Sequence, residues 1–336
     1  MSLRIILYLY LIMPGALIVY LVDFLFLGKV FKGEFPSNSQ NILIMLIFLG
    51  LPHVLAGFLI VFSRWTYISF YKFRIAFFVI FIVFLSVLGG YYFYYFDYIV
   101  IFLGAIFGVF HVVKQQYGVL YRGHFIKNFY SMTSVFFSFL IGVFIYLGIF
   151  FREVISDDFL GYIGVIVVIL CFLLSVFSFV SCDFSLKRLS LTCFWVNPVL
   201  IVFCAFFYIQ EYFLLAIITP RLIHDLTAYF YYIDHEQRFF RKKENSTFFG
   251  LLSSWNVPVF LILPMSSIVV AIFLFMYEDV IIHFSKHVTL QLIGYDFLPS
   301  SILWFFVAMH YYTESFMWKR GSPLTAGAYR ECSTGR

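Results

Sequence analysis

Four histidines stand in strongly apolar stretches of the 336-residue chain: His53 in GLPHVLAG, His111 in GVFHVVKQQYG, His224 in RLIHDLTAYF and His310 in VAMHYYTESFMWK. Charged residues lie close to three of them. Lys114 lies three residues after His111, Asp225 directly follows His224, and Glu314 lies four residues after His310. Neutral imidazole is a common ligand for iron, copper and zinc. Residues at i, i+4 share a helix face, so Glu314 can ligate the same ion as His310 or orient a ligand. Asp225 points about 100° away from His224 and can orient an imidazole on a neighbouring helix. Lys114 can pair with Glu314 or Asp225, or snorkel to the interface. Glu314, Asp225 and Lys114 are therefore the candidate catalytic residues beside four candidate metal ligands.

The elements that carry these residues must be membrane helices. The chain is 63% hydrophobic and only 12% charged, about half the charge of a soluble domain. A spanning helix needs roughly 20 apolar residues. Ten runs meet that need: 3–28, 41–63, 75–96, 98–121, 129–151, 159–181, 189–210, 212–236, 257–277 and 296–318, with the thinnest turns near Asp97 and Glu211. The first run is too long for a signal-peptide core and is read as retained. The segment 279–295, with His283, Lys286 and His287, is expected to lie at the interface. The expected fold is thus an all-α polytopic membrane bundle of about ten helices, with one integral domain over 1–320 and a short polar cytoplasmic tail over 321–336. The five cysteines form no C-x-x-C pair and suggest neither a disulfide framework nor a zinc site.

Charge sets the orientation. If the runs alternate, sixteen of the 22 Lys and Arg fall on the side of the N-terminus; Lys29, Lys32, Arg152 and Lys286 fall on the other, and Lys114 and Arg221 lie inside spans. The positive-inside rule makes the N-terminal side cytoplasmic, and the C-terminus with it, most simply in a bacterial inner membrane. The basic loops are short and scattered. Orientation explains them, and nucleic-acid binding is not expected.

In this arrangement the four histidine-bearing runs all travel inward. The first cytoplasmic cation follows His53 and His111 by eleven residues, His224 by fourteen and His310 by nine. At 1.5 Å per residue all four imidazoles lie about 13–21 Å above the cytoplasmic edge. A lone membrane histidine is often only a hydrogen-bonding link between helices. Four at one depth suit a shared metal or a haem, and the expectation is that they converge on one ion. Lys114 and Glu314, each about one turn below its histidine, are expected to pair as a polar floor. Along 224–235 the positions 224, 228, 231 and 235 form one stripe. His235, near the headgroups, is read as solvated in preference to ligating. Arg221 binds an anionic group or pairs with an acid. Tyr231, Tyr232, Tyr311 and Tyr312 are read as packing or interface aromatics in preference to catalysts, and His124, His283 and His287 as exposed.

Two segments extend the reading. GLPHVLAG resembles the Gly-x-Pro-His segment, and FGVFHVVKQ the Phe-His segment, of the intramembrane histidine-rich bacterial carotene oxygenases of the Brp/Blh type. The resemblance carries over His53 and His111, and the chain departs from it at Val54, where glycine is expected. It implies an iron held by four histidines and a carotenoid cleaved with dioxygen. Three functions compete. The first is an iron-dependent membrane oxygenase or oxidoreductase that draws a lipophilic substrate from the bilayer. The second is a haem protein with two histidines as axial ligands. The third is a transporter that uses His, Asp, Glu and Lys as a proton relay.

Overall fold

The computed structural model describes residues 3–33, 52–62, 65–92, 96–120, 129–152, 155–182, 188–241, 258–276 and 309–314. Among them all regular structure is helical. The helices are α1 (Leu3–Leu9), α2 (Ile12–Phe26), α3 (Val30–Gly33), α4 (Pro52–Phe62), α5 (Trp65–Tyr92), α6 (Phe96–Leu120), α7 (Phe129–Phe150), α8 (Asp157–Ser181), α9 (Arg188–Ile209), α10 (Phe213–Arg241) and α11 (Val259–Met276), followed by a short helix at 309–314. Five helical stretches are long and apolar enough to cross a membrane: Arg4–Phe26, Met132–Phe150, Asp157–Ser181, Leu191–Ile209 and Phe213–Gln237. Large apolar side chains such as Phe73, Ile80, Phe172 and Phe179 point outward from α5 and α8. Water would penalise faces like these, whereas lipid accepts them. The chain is an integral membrane protein.

Several sequence expectations are sharpened. The first run is interrupted by a turn at Tyr10–Leu11 between α1 and α2, just before Pro14, which lacks an N–H and cannot bond the carbonyl of residue 10. The run expected at 75–96 starts earlier, at Trp65, so Lys72 and Arg74 are exposed residues of α5 and not loop residues. Their long stems let the charges leave the apolar face without ending the helix. The turn expected near Glu211 is present over Gln210–Tyr212. It closes α9 with the Tyr212 N–H on the Phe207 carbonyl (2.8 Å) and the Glu211 N–H on the Tyr208 carbonyl (3.0 Å). This is a Schellman cap with Glu211 in the left-handed position, at φ 63°. The interfacial segment 279–295, the tail 321–336, His124 and most of the runs at 41–63 and 296–318 lie outside the described residues.

The chain divides into two compact units, and two of the three divisions fall inside α6 and α10. Unit 1 comprises Met1–Leu46 with Ala105–Thr227; unit 2 comprises Ile47–Gly104 with Ala228–Arg336. In unit 1, α7 packs on α8 and α9. Val109, Val113 and Tyr117 of α6 pack against Val135, Phe139, Val143 and Tyr146 of α7. Three connections of this unit meet at one end: Glu211 takes Lys32 Nζ at 3.0 Å and Arg152 at 3.9 Å. These pairs are too exposed to add much stability, and their value is to mark which ends lie together.

Asp23 anchors the same end. It is fully buried, accepts the Phe31 N–H on Oδ1 at 3.0 Å and accepts the Tyr212 hydroxyl on Oδ2 at 2.8 Å. Hydrogen bonds to a charged group contribute about 1.5–3 kcal/mol each, and removing the acceptor strands both donors. Asp23→Ala is therefore expected to lower stability by about 2–4 kcal/mol, read as a lower unfolding temperature in detergent, with Asp23→Asn milder. Equal stability of the alanine variant and the wild type would count against this role.

The core of unit 2 is formed by Ala56, Ile60 and Val61 of α4, Tyr67 and Tyr71 of α5, Ala228 and Tyr232 of α10, and Ile262 and Leu263 of α11. Tyr229 ties α10 to α11 through a 2.7 Å hydrogen bond with Ser267. Phe78 stacks on Tyr312 at 4.4 Å and holds α5 to the 309–314 helix.

Candidate metal centre

In unit 2, two of the predicted ligands come together. Pro52, whose missing N–H costs nothing at a helix start, opens α4 and places His53 in its first turn. His310 lies in the 309–314 helix. The two rings are 4.6 Å apart between centroids and cross at 84°. Glu314 joins them from one turn beyond His310: its Oε1 is 3.9 Å from Nε2 of both imidazoles. All three side chains are buried, and one ligand atom from each lies within 4.8 Å of the others. Donors bound to one ion at about 2.1 Å stand about 3.0–3.4 Å apart at angles of 90–110°, so a shared ion would draw the carboxylate and the two imidazoles slightly closer together. Two imidazoles and one carboxylate form the donor set of non-haem iron sites with open positions.

Two neighbours tighten this group. The Tyr232 hydroxyl donates to Glu314 Oε1. Gly57 lies one turn after His53, and a Cβ there would sit 3.2 Å from His310 Nδ1 and 3.2 Å from the Tyr232 hydroxyl. Only glycine lets α4 approach the imidazole and the phenol this closely without pushing them aside. Tyr232 packs in the core of unit 2, as expected of an aromatic there, and its hydroxyl in addition holds the carboxylate. Along the predicted stripe His224, Ala228 and His235 are buried and Tyr231 is half-buried; Tyr232, about 80° around the helix from His224, is fully buried because the buried face of α10 is broad.

His235 is likewise not a solvated residue. It is buried, with Nε2 2.8 Å from the Tyr67 hydroxyl, beside a buried Glu236 at 4.0 Å. Glu236 was not singled out in the sequence, although it lies at i+4 from Tyr232, on the same face.

In unit 1, the other two predicted ligands pair. The His111 and His224 rings are 5.1 Å apart between centroids and cross at 82°. Gln116 helps to register the two helices: its Nε2 donates to the Pro220 carbonyl at 3.2 Å. His224 is fully buried and His111 half-buried. Asp225 Oδ1 is 3.9 Å from His224 Nε2, and Arg221 Nε lies 3.1 Å from each Asp225 oxygen. Arg221 thus pairs with an acid, one of its two expected roles. Lys114 departs from expectation. It is exposed, with Nζ 5.2 Å from the centre of the Phe110 ring, so it is not a buried ammonium and takes the snorkelling alternative. One residue on a helix changes facing by 100°, which is enough to carry Lys114 off the buried face that holds Val113 and Gln116.

No protein-family model, curated protein or solved structure matches the chain.

Proposed function

We propose that the chain is a membrane-embedded oxidoreductase or oxygenase that uses an iron ion held by His53, His310 and Glu314 to act on a lipophilic substrate drawn from the bilayer. The observation that carries this reading is the buried group of two imidazoles and one carboxylate within 4.8 Å. A carboxyl group in an apolar interior is costly unless a partner or an ion compensates it. Iron bound there would supply redox chemistry with dioxygen, which dissolves in lipid. The chain's own groups hold and shield the ion: the histidines provide neutral nitrogen donors, Tyr232 fixes the carboxylate rotamer, and burial keeps water out. The resemblance at GLPHVLAG makes a carotenoid the first substrate class to test.

The experiment is dioxygen uptake by iron-loaded protein in lipid nanodiscs on addition of β-carotene. Uptake that disappears in His310→Ala is expected. Uptake unchanged in that variant would remove the site from the reaction, and no uptake from an iron-containing protein would remove the carotenoid.

The same proposal sets the chain in a bacterial inner membrane as ten spans with both termini cytoplasmic. The uneven distribution of cations supports this. So does the end at which Lys32 and Arg152, two of the four cations on the sparse side, share Glu211. Reporter fusions after Asp157 and after Lys243 are expected to report opposite sides; a shared side would overturn the topology.

A further inference from the structure

We infer that Tyr67 is a redox-active residue of unit 2, which gives up one electron to an oxidant formed at the iron site while its phenolic proton passes to His235; the source of that oxidant rests on the proposed function. The first support is a buried hydrogen bond between α5 and α10. The Tyr67 hydroxyl lies 2.8 Å from His235 Nε2, inside the range of about 2.6–3.2 Å in which a base takes a proton directly. Imidazole is a competent base near neutral pH. Both side chains are buried, so bulk water does not compete for that proton. The second support is Glu236. It is 2% exposed, and its Oε1 stands 4.0 Å from the same nitrogen. A positive charge formed on His235 is compensated there, where an unpaired charge in an apolar interior is costly. None of these three side chains is a ligand of the proposed iron.

In the step, the Tyr67 O–H bond breaks and an N–H bond forms at His235 Nε2, which must begin as the acceptor nitrogen, with the ring hydrogen on Nδ1. One electron leaves the phenol for the dioxygen-derived oxidant, which is reduced by one electron. The products are a neutral phenoxyl radical and an imidazolium beside Glu236. A phenol that lost its electron and kept its proton would be a cation in an apolar site, so the hydrogen bond to a base makes Tyr67 the easier phenol to oxidise. Tyr229 offers the comparison. Its hydroxyl bonds Ser267 at 2.7 Å, and a hydroxyl oxygen is a far weaker base than imidazole. The third support is a core of phenols that reaches the iron site. Tyr67, Tyr71 and Tyr232 share one packed cluster, and the Tyr232 hydroxyl donates to Glu314. Electrons cross packed rings without a covalent path. The tyrosines would thus draw a stray oxidising equivalent out of the enclosed site when no substrate is there to take it.

The test is freeze-quenched electron paramagnetic resonance on two preparations, with unfolding temperature as the folding control. One is protein loaded with Fe(II) and mixed with dioxygen without substrate. The other is chelator-treated protein mixed with hexachloroiridate(IV), a soluble one-electron oxidant. Each is expected to give a neutral tyrosyl radical coupled to one exchangeable proton. That radical is expected to be absent in Tyr67→Phe, which keeps the ring, and retained in Tyr229→Phe. In His235→Gln the proton coupling is expected to vanish and radical formation to slow by at least about 100-fold. A hydrogen bond with only a structural role would move neither quantity. The radical from hexachloroiridate(IV) but not from iron and dioxygen would support the role of Tyr67 and count against the proposed iron chemistry. A radical unchanged in Tyr67→Phe, or none by either route, would overturn the inference, and dioxygen uptake with β-carotene in the same protein would then leave the proposed function standing.

Discussion

Glu314→Gln is expected to move metal affinity and metal-free stability in opposite directions. The substitution preserves shape, and the new side-chain oxygen still accepts from the Tyr232 hydroxyl. What it removes is the negative charge, which an Fe(II) ion needs. Losing an ionic ligand is expected to weaken metal binding by at least about 100-fold, more than the 10–100-fold expected for Tyr232→Phe, which loses only the hydroxyl that holds the carboxylate. Without metal the sign reverses. A carboxylate as enclosed as Glu314, whose side chain is 0% exposed, is costly to desolvate, and its neutral isostere is not. The metal-free variant is expected to unfold at or above the temperature of metal-free wild type. Metal titration and thermal scans of both proteins with and without chelator check the two signs. Lower stability of the metal-free variant would make Glu314 a structural hydrogen-bonding residue and not a ligand.

The second large effect is expected at Arg221. Its Nε lies 3.1 Å from both oxygens of Asp225, and the two side chains are only 12% and 8% exposed. Removing one member of a buried pair leaves an uncompensated charge and costs about 3–5 kcal/mol, whereas replacing both is often close to neutral. Arg221→Met is expected to cost that much, and Arg221→Met with Asp225→Asn much less. The measurement is a double-mutant cycle on unfolding in detergent, with a coupling of about 2 kcal/mol or more expected. Additive losses would mean that the pair contributes nothing together.

These two residues also show how far the sequence could be read. Helical spacing placed Glu314 on the face of His310, and the structure agrees because i, i+4 geometry is local. Arg221 and Asp225 are a second i, i+4 pair; the sequence reading gave Arg221 an acid as one of two partners without naming Asp225. Lys114 was misread because its depth in the run was taken as burial. Depth follows from counting residues, but facing depends on which side of α6 meets α7, and that is settled by packing. Tyr232 was passed over because 25 tyrosines dilute any one of them; its role depends on a carboxylate 82 residues away. Asp23 gave no signal at all. Its two partners, Phe31 of α3 and Tyr212 after α9, follow left-handed residues at Gly28, Lys29 and Glu211. The grouping of the histidines as His53 with His310 and His111 with His224 follows from helix packing and not from order along the chain.

Under the proposed function, buried imidazoles and a carboxylate hold iron. The most direct test is the metal content and optical spectrum of protein purified in detergent from iron-supplemented cells. The account predicts bound iron, no Soret band and loss of iron from the unit 2 site in His53→Ala, His310→Ala and Glu314→Gln, each in folded protein. Folded wild-type protein that carries no transition metal and takes up none on loading with Fe(II), or that shows a Soret band, would contradict it.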